Sequence, residues 1–328
     1  VTGPRPGDDA SGWVPDVLGD RFEQLTLPLP ADDEGAVVAT LVRPVVRPAH
    51  PRLDVLYVHG WSDYFFQTEL ADFWTAQGAA FHAIDLRKYG RSLREHQTPG
   101  FVTDLATYDE DLAAALAVLR TDPDRPLVVT GHSTGGLTLS LWATRHPDVA
   151  AGLLLNSPWL EFQTRALGRA VLTPAMTLGA RIDPRRELPN VDLGFYTRAV
   201  SATEEGEWTY NLTWRPQRGF RTTRAWLDAV LRGQDQVERG LDLTVPVLVL
   251  LSTRSTLLPR WTPEMLHSDT ALDVVGVARR SADLGRHVQI ERIEGALHDV
   301  VLSPAPIRAQ AYAAMAHWLR TSVLTAAG

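Results

Sequence analysis

The ten residues Leu127-Val128-Val129-Thr130-Gly131-His132-Ser133-Thr134-Gly135-Gly136 constrain this chain more than any other stretch. An apolar, β-branched run leads into a Gly-x-Ser-x-Gly turn, and Leu137, Leu141 and Trp142 follow at helical spacing. That order predicts strand, sharp turn and helix, with a serine at the apex. Such a turn strains the serine backbone and points its hydroxyl outward. Gly131 and Gly135 matter because a Cβ at either would strike a neighbouring strand or helix. The same five residues also suit a plain glycine turn that packs a helix on a sheet. The flanking strand and helix favour a nucleophile.

The elbow strand is one of a series. Residues 53–58 form a short apolar run of the kind buried on both faces, and His59-Gly60-Trp61-Ser62 follows directly. Residues 65–77 place Phe66, Leu70, Phe73 and Trp74 on one helical face, and 79–84 read as the next strand. A helix over 104–120 and a strand over 149–155 continue the alternation, which predicts a parallel, doubly wound α/β sheet. Upstream, residues 21–29 and 36–42 suit an antiparallel edge hairpin around Asp32-Asp33-Glu34-Gly35, and residues 1–20 read as an irregular arm.

After Pro158 the rhythm fails. Residues 159–243 hold prolines, helical fragments (one candidate spans 166–180) and Trp159, Trp208, Trp214 and Trp226. An insertion here would lie over the carboxyl ends of the strands, where Ser133 sits, so it reads as a cap. Its aromatics serve equally well as the packing of a small subdomain. The sheet resumes at 245–251, followed by a helix over 269–284, a strand over 287–293 and a last helix over 304–324. The predicted organisation is an arm (1–20), a core (21–158 and 244–328) and a cap (159–243).

Composition excludes several partners. A net charge of −7, with no basic run, argues against nucleic acid. Cysteine is absent, which removes disulfides and thiolate metal sites. No apolar run approaches a membrane span, and the first residues lack an apolar signal core, so a cytoplasmic protein without a membrane anchor is expected. The chain begins at Val1, which leaves an upstream segment open. Oligomeric state cannot be read from the sequence.

A serine hydroxyl needs a base to take its proton, and the base needs an acid to hold its tautomer. In a strand–elbow–helix architecture these follow in the order serine, acid, histidine, each on a loop after a strand. Of the histidines beyond the cap, His298 lies in the loop between the last strand and the last helix, where it can reach Ser133; a surface histidine is the bland reading. The acid is less obvious. The loop after Leu251 reads Ser252-Thr253-Arg254-Ser255, without a carboxylate, and Glu264, Asp269 and Asp273 come next. Asp269 is preferred, with Asp273 behind it, although an aspartate there can also be only a helix N-cap. Asp299 adjoins the base and is poorly placed to orient it. Oxyanion donors are expected from the backbone N–H groups of Trp61 and Thr134. His59, Gly60 and Trp159 are candidate substrate contacts, His59 more as a structural hydrogen-bonding residue than as a base. Metal-ligand spacing and phosphate loops are absent, so no metal or cofactor is expected.

His59-Gly60, Asp85-Leu86-Arg87 with Gly90-Arg91-Ser92, Gly-His-Ser-Thr-Gly and Gly-Ala-Leu-His298 resemble the α/β-hydrolase superfamily, in the branch of monoacylglycerol lipases, lysophospholipases and serine-aminopeptidase-like hydrolases. The resemblance runs over residues 20–324. It implies an eight-stranded sheet with helices on both faces, a variable helical cap, and cofactor-free ester hydrolysis. Ser268-Asp269-Thr270-Ala271-Leu272-Asp273 is similar to the acid-bearing stretch of the lipase branch, which supports Asp269. The chain departs from that pattern by an extra segment, about 253–267, between strand and acid.

The leading expectation is therefore a serine esterase acting on a small-molecule ester with an apolar acyl part, acylglycerol- or lysophospholipid-like and of medium to long chain. An aminopeptidase or amidase would need a carboxylate for the substrate ammonium, for which Glu204, Glu205 and Glu207 are candidates, although they suit a solvated loop equally well. A lactonase would use the same groups. The missing carboxylate after Leu251 favours a non-catalytic binding protein, and the presence of both Ser133 and His298 opposes it.

Overall fold

The computed structural model describes residues 12–162, 177, 179–190 and 192–325. Nine strands among them form one sheet: β1 (Val14–Asp16), β2 (Gly19–Asp32), β3 (Gly35–Pro44), β4 (Leu53–Val58), β5 (Ala79–Asp85), β6 (Leu127–His132), β7 (Gly152–Asn156), β8 (Val247–Ser252) and β9 (Val288–Ile293). Their order is β1-β2-β3-β5-β4-β6-β7-β8-β9. The run β5-β4-β6-β7-β8-β9 is parallel throughout, and β1, β2 and β3 add an antiparallel edge through the β3–β5 pairing.

The period-two alternation of the central strands builds a core on each face. Leu56, Val58, Leu127, Val129, Val249 and Leu251 point into one. Val55, Tyr57, Val128, Leu248 and Leu250 point into the other. The described helices include α1 (Thr68–Ala76), α2 (Tyr108–Leu119), α3 (Thr134–Arg145), α4 (Phe195–Val200), α5 (Arg224–Glu238), α6 (Val274–Ser281) and α7 (Ala305–Trp318); α4 packs in a third, smaller cluster with Tyr64, Phe66 and Trp208 rather than on the sheet. The predicted α/β-hydrolase architecture is therefore present, with one strand more than the eight expected.

That extra strand lies in the stretch read as an irregular arm. Three residues centred on Pro15 carry no alternation that would reveal a strand. Long-range charge holds them: Asp16 accepts Arg91 Nε and Nη2 at 2.6 and 2.8 Å, and Arg91 Nη1 reaches Asp85 at 2.8 Å. Another difference concerns residues 269–284, where only Val274–Ser281 are helical. The stretch read as a cap contributes α4 and α5. Helix α5 lies so close to α3 that a Cβ on Gly233 would come within 2.9 Å of Leu141. Most of the helical candidate at 166–180 lies outside the described residues.

Candidate active site

The turn after β6 confirms the elbow geometry. Ser133 has φ +51° and ψ −115°, a conformation that L-residues rarely adopt. Surrounding backbone holds it there: its N–H donates to Asn156 O at 3.0 Å, and its carbonyl accepts from Trp159 N–H at 3.0 Å. The glycines are sterically required. A Cβ on Gly131 would come within 2.7 Å of the Gly135 carbonyl, and one on Gly135 within 2.4 Å of His59 O.

His298, in the loop after β9, has Nε2 3.1 Å from Ser133 Oγ. Its Nδ1 lies 2.9 Å from Asp269 Oδ2. An ionised carboxylate only accepts, so Nδ1 carries the hydrogen and the Nε2 lone pair faces the serine hydroxyl. Asp269 is fully buried. Its Oδ1 accepts the N–H groups of Ala271 and Leu272 at 2.7 and 2.8 Å, so a local turn fixes the carboxylate and Oδ2 is left for the histidine.

The extra segment after β8 leaves the sheet and returns to it. Ser255 bridges to Asp269, with Asp269 N–H donating to Arg254 O and Thr256 N–H donating to Asp269 O. The excursion thus delivers Asp269 beside the end of β8, the position that the loop sequence itself leaves without a carboxylate. Asp273 instead caps α6 and is exposed. Asp299, though adjacent to His298, turns away from Asp269: its Oδ1 accepts from Asn156 Nδ2 at 2.6 Å.

A cavity of about 190 Å³ opens on Ser133 and His298. Trp61 and Trp159 line it, with Asp63, His132, Tyr196 and Arg215. His59 and Gly60 do not line it, and both nitrogens of the His59 ring are engaged by backbone. Nδ1 lies 2.7 Å from Gly60 O, and Nε2 accepts Leu86 N–H at 3.1 Å. Burial lowers the pKa of this ring, against the pull of Asp85 and Asp63, so it stays neutral. His59 therefore ties its own loop to the start of the segment after β5. Among the described residues, the Trp61 and Thr134 backbone N–H groups have no protein acceptor, which leaves both free to donate. Trp208, Trp214 and Trp226 serve packing: Trp208 Nε1 donates to Leu302 O, Trp214 meets Tyr64 edge-on, and Trp226 lies 3.8 Å from the Trp61 ring. Glu205 and Glu207 pair with Arg198 and Arg308, and Glu204 accepts from Gln217; none of the three lines the cavity.

The family model described as serine aminopeptidase, S33, matches residues 49–304. The chain belongs to this family of α/β hydrolases. The described core and the position of the elbow agree with that membership. A curated relative, the abhydrolase domain-containing protein abhd-5.2 of Caenorhabditis elegans, is 24% identical over 156 residues, covering 46% of this chain and 34% of its own length. The chain thus spans about a third of that relative.

Solved structures share the fold. The monoacylglycerol lipase of Paleococcus ferrophilus aligns with a TM-score of 0.60 at 19% identity, over 82% of this chain and 95% of its own. A soluble variant of the Saccharomyces cerevisiae monoglyceride lipase, with a substrate analogue, gives 0.63 at 16%, over 90% and 96%. A thermostable carboxyl esterase of Bacillus coagulans, with glycerol, gives 0.61 at 15%, over 92% and 99%.

Sequence reasoning missed the charged side chains of the cavity. Asp63, His132, Asp299 and Arg215 meet beside His298, and ligand atoms of the first three lie within 4.8 Å of one another, although nothing in their spacing suggests a cluster. The only signals available were the positions of Asp63 just after His59-Gly60 and of His132 just before the serine. No described helix is long and apolar enough to cross a membrane.

Proposed function

We propose that this hydrolase cleaves carboxylic esters through an acyl-enzyme on Ser133. The observation that carries the reading is the chain of contacts from Ser133 Oγ to His298 Nε2 at 3.1 Å and from His298 Nδ1 to Asp269 Oδ2 at 2.9 Å. As Ser133 Oγ attacks the ester carbonyl, its proton passes to His298 Nε2, and Asp269 stabilises the imidazolium that forms. The carbonyl oxygen becomes an oxyanion, which the N–H groups of Trp61 and Thr134 are free to receive, with the N-terminus of α3 behind them. Collapse breaks the bond to the leaving alcohol, which takes the proton from His298. Water then enters by the same proton path and releases the acid. The substrates implied by the family resemblance are acylglycerol- or lysophospholipid-like.

A panel of p-nitrophenyl esters of rising chain length, with fluorophosphonate labelling, tests this reading. Turnover and labelling are expected, and Ser133→Ala should lower kcat by about 10⁶-fold. Absence of turnover at every chain length, or full activity in Ser133→Ala, would reject it.

A further inference from the structure

His132 precedes the proposed nucleophile and is 2% exposed. Its ring centroid lies 4.9 Å from that of His298. Two carboxylates from distant parts of the chain converge on its Nδ1, Asp63 Oδ2 at 3.5 Å and Asp299 Oδ2 at 3.9 Å. Both acids are otherwise held in place. Asp63 Oδ1 accepts Tyr64 N–H and faces Arg215 Nε at 3.1 Å. Asp299 accepts from Asn156, Gln67 and Val301 N–H. Neither Asp63 Oδ2 nor either His132 ring nitrogen has another partner among the described residues.

The charges decide what the ring must be. Two buried carboxylates face one buried guanidinium, which leaves one negative charge uncompensated in a region where an unpaired charge is very costly. The other groups turned toward this cluster, Tyr57, Tyr196, His59 and His298, supply no fixed positive charge. Burial opposes a charge on His132, but Asp299 and then Asp63 outweigh it, and the pKa of the ring is raised from the ordinary histidine value.

Resting on the reading of Ser133 as nucleophile, we propose that His132 is a positioning residue for that reaction: a charged imidazole that neutralises Asp63 and Asp299 and so keeps His298 free of its proton until Ser133 supplies one. The base must be neutral to act. With His132 uncharged, two carboxylates against one guanidinium would draw a proton onto His298 before substrate arrives. With His132 charged, Asp269 is the carboxylate that His298 answers to. The three ligand atoms are also close enough together to hold a divalent cation. Arg215 beside Asp63, and the amide donors on Asp299, suit a proton better than a metal ion.

Histidine-selective ¹⁵N NMR on the full chain, with His132→Gln to identify the signals, reads the ring directly. Both His132 nitrogens should stay protonated above the pH at which a free imidazole has lost its charge, and Asp63→Asn should release that proton. In kcat/KM, His132→Gln and His132→Asn should lose about tenfold more near pH 6 than near pH 8, from the removal of a unit charge whose ring centre lies 4.9 Å from that of the base. A ring neutral near pH 6, an equal loss at both pH values, or displacement of the proton by added zinc alone would overturn the proposal. Wild-type protein that neither turns over esters nor takes the fluorophosphonate strikes the reading at Ser133 itself. A neutral ring in an active enzyme strikes this inference alone.

Discussion

Asp269→Asn keeps the shape of the buried acid and removes its charge. The surroundings leave an asparagine one arrangement. Its carbonyl oxygen must stay on the N–H groups of Ala271 and Leu272, because turning the NH₂ toward them would oppose donor to donor and strand buried groups at about 1–3 kcal/mol each. The amide NH₂ then faces His298 Nδ1, which has to accept. The imidazole hydrogen moves to Nε2, the atom 3.1 Å from Ser133 Oγ, and the nitrogen meant to take the serine proton already holds one. The expected result is a fall in kcat of about 10⁴-fold with little change in KM and an unchanged fold. Steady-state kinetics on a p-nitrophenyl ester, together with the rate of fluorophosphonate labelling, measures it. Asp273→Ala is the control: that exposed side chain caps α6, so the change should lower stability by about 1 kcal/mol and leave turnover alone. An Asp269→Asn enzyme that keeps more than about a tenth of wild-type kcat, or an Asp273→Ala enzyme that falls as far, would refute the assignment of the acid.

Two further expectations concern the frame around the site. Gly135→Ala sets a Cβ 2.4 and 2.6 Å from the carbonyl oxygens of His59 and Val58, both backbone, so it should destabilise by about 3 kcal/mol or more; an unchanged urea midpoint would contradict the packing. His82 is buried, and burial, followed by the charge of Arg43, pushes its pKa down to about 3. Because the unfolded chain takes up that proton near the ordinary histidine value and the native state does not, stability should drop as pH falls through this window, by up to about 1.4 kcal/mol per pH unit. In His82→Leu the drop should be shallower by that amount, and parallel curves of unfolding free energy against pH for the two proteins would exclude the effect.

The parallel sheet and the elbow were legible because both are written in near neighbours. Short continuous apolar or β-branched runs such as 53–58 and 127–130 dictate strands buried on both faces, and the glycines at 131 and 135 permit the turn between strand and helix. His298 could be reached from the order of the elements, since one loop separates the last strand from the last helix. Asp269 could be reached only as a preference: the loop directly after β8 lacks a carboxylate, and nothing local shows that the following excursion returns to pair at Ser255. The edge strand at Val14–Asp16 was hidden for a similar reason, because its anchor is Arg91, far along the chain.

The sequence alone determined the architecture, the apex serine and the order in which its candidate partners follow, since backbone preference and side-chain periodicity act over a few residues. Tertiary structure alone decided that His59 spends both ring nitrogens on backbone, that Asp269 rather than Asp273 faces His298, and that Asp63, His132, Asp299 and Arg215 share one buried cluster. Those choices depend on sheet register and on loops that converge from remote parts of the chain. Whether a buried charge is tolerated depends on what stands within a few ångströms of it, and no local pattern carries that information.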